Sequence, residues 1–334
     1  MEQKKSRERL SRQTGQIGKN FRRSREMKRV MFLVIAFVFI VVGISWAGGE
    51  TEGYVVGVSI SQFTTWLKDM ADKIEAEAEV VGNVKIITLN GNADIQKQIS
   101  DVESLITQKV DAIILNPVDK EAGGVLVDKI KDANIPLVEV NTFTTNDRFD
   151  VYVGSREEDA GIQQAKWIIE NLGTEGGNIV YLMGVMGHSA QIGRKAGFME
   201  GLIDKYPQWK ILSELSCDWQ RDRGMSITED WLQRFPEIDL IVSQNDEGVM
   251  GALAAVEASD RKGQIQLLGV DGQPDAVEAV LDGRLAFTTF QDMDTQAKKA
   301  LEVAIGLIEG KTYPHIVNTP FVPITKENAA TFMK

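Results

Sequence analysis

The residues able to do chemistry in this chain stand directly after short apolar runs. Ser61-Gln62-Phe63-Thr64 and then Trp66 follow the first run, Asn116-Pro117-Val118-Asp119 the third, Asn141-Thr142 the fourth and Ser155 the fifth. Their counterparts in the C-terminal half are His188-Ser189 with Arg194, Asp218-Trp219-Gln220-Arg221, Gln244-Asn245-Asp246-Glu247, Asp271-Gly272-Gln273-Pro274 and Gln291-Asp292. Amides, carboxylates, a guanidinium and aromatic rings suit a polyhydroxylated neutral ligand. Each hydroxyl both donates and accepts. Carboxylates and amide carbonyls accept from it, while Arg and amide nitrogens donate to it. A missing hydroxyl would leave a buried group unpaired, so such a site discriminates sharply. Aromatic faces cover the C–H side of a sugar, with Trp219 and Phe63 as candidates.

The same residue types have plainer uses. Asn, Asp and Ser after a strand commonly cap the next helix, Asp119 and Ser155 above all. Trp66 shares helical spacing with Met70 and reads as core. His188, in Gly187-His188-Ser189, reads as a loop residue and not a catalytic base. Arg194 is harder to dismiss. It lies on a helix that is otherwise apolar or small, where a guanidinium needs a carboxylate or a ligand. No Ser-His-Asp or Cys-His ordering and no Walker or Rossmann glycine pattern accompanies these residues, which argues against an enzyme and against a cofactor. His188 and His315 lie far apart in sequence, and nothing supports a metal site.

The elements that must position these residues alternate. Strand-like runs cover 54–60, 84–89, 112–115, 136–140, 151–153, 178–182, 210–215, 240–242, 265–270 and 286–290. Most are apolar throughout, as parallel strands buried on both faces are. Amphipathic helical stretches lie between them at 65–81, 95–108, 122–133, 159–172, 190–206, 223–235, 248–258, 274–282 and 293–310. The pattern predicts an α/β chain, doubly wound, with right-handed crossovers. Its length suggests two sheets, with a boundary near Gly154-Ser155. In open α/β sheets ligands sit at the carboxyl ends of the strands.

Bulk properties fix the setting. Residues 27–47 read as a basic start, an apolar run from Val30 to Ile44, and Ser45-Trp46-Ala47, which is the pattern of a secretory signal peptide. Cleavage after Ala47 is expected, in preference to a retained anchor. The basic extension before Met27 suggests that Met27 is the true start. Removing residues 1–47 takes 11 of 37 Lys+Arg and 3 of 48 Asp+Glu. The remaining 287 residues then carry a formal charge of −19, from 26 basic and 45 acidic side chains. That charge argues against nucleic acid as a partner. The single cysteine, Cys217, excludes a disulfide framework within one chain and reads as a buried, inert thiol.

With these residues in view, the chain resembles the periplasmic sugar-binding proteins of the ribose-binding type, with the type I solute-binding fold. The matching strings are ILNPVD (114–119), GHSAQIGRKAGF (187–198), SQNDEGVMGALAAV (243–256) and LGVDGQPDAVEAVLDGRLAFTTFQ (268–291). The resemblance implies two doubly wound parallel-sheet lobes joined by three hinge crossovers: 54–155 plus 292–318, and 156–291 plus 319–334. It implies ligand contacts at Phe63, Asn116, Asn141, Ser155, Arg194, Trp219, Asn245, Asp271 and Gln291. It further implies a periplasmic monomer that passes a sugar or polyol to an ABC permease, with a chemoreceptor as a possible second partner. Two departures bear on the ligand. Ribose binders follow the fourth strand with Asp-Arg, where this chain has Asn141-Thr142. The first loop is shorter than the Asn-Pro-Phe-Phe type and has one Phe and no Pro. A different pentose, a hexose, a polyol and an inositol all stay open.

Other readings are weaker. A repressor sharing this core needs an N-terminal helix-turn-helix, where an apolar run stands instead. A membrane-tethered sugar sensor with an uncleaved leader would need a separate signalling partner. A hydrolase using Asp246 or Asp271 would need a nucleophile-base pair.

Overall fold

The computed structural model describes residues 53–333, so the leader (27–47), its cleavage point and the choice between Met1 and Met27 lie outside the described residues. The first half is a strict strand-helix alternation: β1 (Tyr54–Ile60), α1 (Thr65–Val81), β2 (Val84–Asn90), α2 (Ile95–Thr107), β3 (Ala112–Leu115), α3 (Gly124–Asp132), β4 (Leu137–Val140) and β5 (Val151–Gly154). With crossovers of one hand, strands added in chain order would place every helix on one face, so covering both faces requires the strand order to reverse, here at β1. The sheet runs β11-β5-β4-β3-β1-β2, all parallel, and borrows β11 (Ile316–Asn318) from near the C-terminus.

The second half repeats the plan. It contains α4 (Glu157–Leu172), β6 (Gly177–Met183), α5 (Ser189–Phe198), β7 (Trp209–Ser216), α6 (Arg221–Arg234), β8 (Leu240–Ser243), α7 (Asp246–Glu257), β9 (Gln266–Leu268), α8 (Pro274–Leu281) and β10 (Thr288–Phe290). Here the parallel order is β7-β6-β8-β9. Bridges Leu268–Phe287 and Asp271–Phe290 carry it on to β10, which pairs antiparallel with β12 (Val322–Ile324). Helix α9 (Met293–Ile308) leaves this sheet and packs its Ala297, Ala300, Leu301 and Ala304 against β1 and β3–β5 of the first. The chain thus passes between the sheets after β5, after β10 and after β11.

Each sheet is buried on both faces, which explains why its strands read as unbroken apolar runs. Val56, Val58 and Ile60 face α1 and α9, and Ile113 and Leu115 face α2 and α3. Val180, Leu182 and Ile241 face α6–α8, and Ile179, Tyr181 and Val242 face α4 and α5. Helix α4 approaches α5 so closely that a Cβ on Gly161 would strike the Arg194 carbonyl and the Phe198 nitrogen. That contact fixes the helix carrying Arg194. Cys217 is buried, its thiol donates to the Met183 carbonyl at 3.3 Å, and burial pushes it up to about 11, so it is chemically quiet.

Two expectations need correction. The helix expected over 190–206 is α5 followed by a wide turn, Met199–Ile203, with π geometry. Strands β11 and β12 lie where no strand is expected from the sequence, because each is three residues long and β12 contains Pro323.

Candidate functional site

The carboxyl ends of the two sheets meet across a cavity of about 430 Å³, part of it open to solvent. Thr64, Trp66, Asn141 and Thr142 line it from the first sheet, and His188, Arg194, Trp219, Asn245, Glu247, Asp271 and Gln291 from the second and its crossover. Two hydrogen bonds join the halves beside it. Lys120 N–H donates to the Gly187 carbonyl at 2.9 Å, and Phe143 N–H to Ser189 Oγ at 3.0 Å. The cavity is therefore closed down, with both sheets in contact around it.

Arg194 is its electrostatic centre. The guanidinium is buried and uses all three nitrogens: Nε on Glu157 at 2.8 Å, one Nη on the Gln244 carbonyl at 2.5 Å and on Asp271 at 3.3 Å, the other on Gln291 Oε1 at 3.2 Å. Burial opposes its charge, but Glu157 and Asp271 outweigh burial and hold its pKa above the ordinary arginine value. Burial pushes Asp271 up to about 7, with Arg194 opposing the rise. Glu157 is raised by burial as well, again against Arg194. Two buried acids thus share one buried base. Asp246, behind them, is raised by burial and by Asp271, and accepts from Thr288 Oγ at 2.7 Å and Gln273 N–H at 2.8 Å.

The aromatic wall is Trp219. Its indole Nε1–H donates to His188 Nδ1 at 3.2 Å, and the Arg194 guanidinium lies 5.6 Å from the ring centre. Gly184 sits directly beneath the ring, so any side chain there would displace it. The backbone at the site is unusual. Asn141 (φ 64°), Trp219 (φ 64°) and Asp271 (φ 127°) occupy the region that favours glycine. Such conformations cost about 1–3 kcal/mol each and persist where the surroundings enforce them, commonly at functional sites.

Of the residues expected to touch ligand, Asn141, Arg194, Trp219, Asn245, Asp271 and Gln291 come together at this cavity. Asn245 also caps α7, its Oδ1 accepting from Gly248 N–H at 3.0 Å. Asn116, Ser155 and Phe63 stand elsewhere. Asn116 is fully buried and its amide is spent on protein: Oδ1 accepts from Ser61 Oγ at 2.6 Å, and Nδ2 donates to Val140 O at 3.1 Å and Thr142 Oγ1 at 2.7 Å. It ties together the loops after β1, β3 and β4. Ser155 donates to the Thr319 carbonyl at 2.6 Å and accepts from Gln296 Nε2 at 3.3 Å, where the crossovers meet. Phe63 is 41% exposed and lines an outer groove with Trp219, Arg221 and Met225. Trp66 and His188, read from the sequence as core and loop, both line the cavity, as does Glu247, which Arg221 holds at 2.9 Å. Glu157 lies in a run of charges, Arg156-Glu157-Glu158-Asp159, that looks solvated in sequence. Only the packing of α4 on α5 reveals it.

Comparison with known proteins places these features in company. Residues 56–312 match a family model described as a periplasmic binding protein domain. The chain is 32% identical over 277 residues to a xylitol-binding protein of Mycolicibacterium smegmatis, covering 82% of this chain and 77% of that protein. It is 31% identical over 273 residues to the ribose import binding protein of Bacillus subtilis, covering 81% and 87%. A solved ABC transporter solute binding protein from Bacillus halodurans, with bound myo-inositol, is 31% identical with a TM-score of 0.81, covering 85% of this chain and 99% of that one.

Proposed function

This chain belongs to the periplasmic binding protein family, and we propose that it holds a sugar or sugar-like polyol between two closing lobes and delivers it unaltered to an ABC importer. The Arg194 network carries the reading. One buried guanidinium, two buried carboxylates and the amides of Asn141, Asn245 and Gln291 converge where two sheets end. Such a set supplies fixed donors and acceptors to hydroxyls, and Trp219 and Trp66 supply apolar faces.

The lobes we assign are 54–155 plus 292–318, and 156–291 plus 319–334, on the support of sheet membership. Ligand bridges them and shifts the population toward the closed form. Moving that balance from 1:99 to 99:1 takes about 5.5 kcal/mol of differential affinity. Hydrogen bonds to charged groups contribute about 1.5–3 kcal/mol each, so a few hydroxyls on Arg194 and Asp271 suffice. The Lys120–Gly187 and Phe143–Ser189 bonds add to closure without touching ligand. Neutral Asn141-Thr142, in place of Asp-Arg, points to a cargo other than ribose, such as another pentose, a hexose, a polyol or an inositol. The protein acts in the periplasm after removal of its leader, and the closed face is what the permease, and a chemoreceptor, would read. A thermal-shift screen against pentoses, hexoses, polyols and inositols tests this. At 100 times its Kd a ligand adds about 2.7 kcal/mol of stability, several degrees in Tm. No shift with any member of these classes would overturn the reading.

A further inference from the structure

We propose that His188 is a positioning residue: its neutral ring fixes the Trp219 indole against the cavity, and a proton on that ring frees the indole and weakens ligand binding. The proposal rests on the sugar or polyol reading of the cavity. The geometry behind it is one-directional. An indole nitrogen can only donate, and Trp219 Nε1–H points at His188 Nδ1 at 3.2 Å, with the ring centres 6.1 Å apart. Nδ1 must therefore be the bare nitrogen, and the ring proton sits on Nε2. An imidazolium would set N–H against N–H, and the bond would be lost.

The indole rests on the Gly184 backbone with the Arg194 guanidinium 5.6 Å from its centre, and the bond to His188 is the hydrogen bond that orients its N–H. Its residue has φ 64°, a strained value for a bulky side chain, and Gly184 offers no side chain beneath the ring. The His188 bond is thus a specific restraint on a wall of the site. The surroundings resist a positive ring. His188 is only 3% exposed and caps the N-terminus of α5, the positive end of the helix dipole. Arg194, on the same helix, adds repulsion, and Asp119, from the loop after β3, opposes it. Asp218, on the loop of Trp219, is engaged by Arg223. Burial dominates and lowers the His188 pKa to about 4. The sign follows. With the ring held neutral in the closed form and more readily protonated as opening admits water, the His188 contribution to binding is full above about pH 6.5. It falls below that, by at most about tenfold per unit and about 30-fold at pH 5, the limit set by full return to the ordinary value.

The test is titration calorimetry between pH 4.5 and 8 with whichever pentose, hexose, polyol or inositol of the thermal-shift screen binds tightest. Alongside it, the Trp219 indole N–H resonance is followed, assigned through Trp219→Phe. In His188→Asn the amide oxygen stands where Nδ1 does and can accept from the indole but cannot titrate. This variant is expected to lose the acid fall, whatever its affinity at pH 7. His188→Ala is expected to bind weakly at both ends of the range. Identical pH profiles in wild type and His188→Asn, or an indole resonance that stays put in His188→Ala, would overturn the proposal. If no pentose, hexose, polyol or inositol of the screen binds at pH 7, the cavity reading fails, while the resonance still tests the His188–Trp219 link.

Discussion

Replacing Arg194 by methionine keeps most of the side-chain volume and removes the charge. Four hydrogen bonds go with it, to Glu157, the Gln244 carbonyl, Asp271 and Gln291. Glu157 and Asp271 then lie buried, 1% and 4% exposed, with no base between them. Breaking a buried ion pair from one side costs about 3–5 kcal/mol, which in a chain of this size lowers Tm by about 5–9 °C. The loss has a pH signature. Both acids already have raised pKa values through burial, and without the guanidinium they rise further. A carboxylate whose folded pKa exceeds its unfolded one binds more protons folded. Its contribution is therefore favourable in acid and is lost as pH rises toward the folded value. The variant is expected to lose far more stability at pH 8 than at pH 5, and Glu157→Gln added to it should restore part of the loss at pH 8. Thermal and urea unfolding at both pH values measure this. A loss under about 1 kcal/mol, equal at the two pH values, would refute the reasoning.

Three further outcomes follow from the same geometry. Ser189→Ala removes the acceptor for Phe143 N–H, worth about 0.5–1.5 kcal/mol, and should weaken binding about 3–10-fold through faster release in stopped-flow experiments, with Tm of the ligand-free protein unchanged. Gly184→Ala drives a methyl into the Trp219 ring and should weaken ligand binding more than it lowers Tm, as calorimetry and unfolding on one sample would show. Burial pushes Glu139 up to about 8, so its folded form holds a proton that the unfolded chain releases at ordinary acidity. Stability should therefore decline between about pH 4.5 and 8, and Glu139→Gln should lack that decline in denaturant titrations.

How far the sequence could be read depended on what each signal encodes. Strands such as Ala112–Leu115 and Leu240–Ser243 were legible because burial on both faces demands an apolar run. Strands Ile316–Asn318 and Val322–Ile324 were not, since a three-residue strand carries no period. Arg194 stood out because a guanidinium amid small residues needs a partner. Glu157, that partner, did not, because a carboxylate in a charged run looks the same whether it meets water or a buried arginine. Asn116 shows the converse: its amide could as well hold a ligand as the loops around it, and in the closed structure the loops hold it. Trp66 has helical spacing and packs on the core, yet its position also lines the cavity, a double role that no spacing rule separates.

Small-angle scattering with and without the tightest ligand from the screen, followed by mass analysis of the released ligand, tests the central claim most directly. The account predicts a smaller radius of gyration on binding and a ligand recovered intact. An unchanged radius at saturation, or a chemically altered ligand, would contradict it.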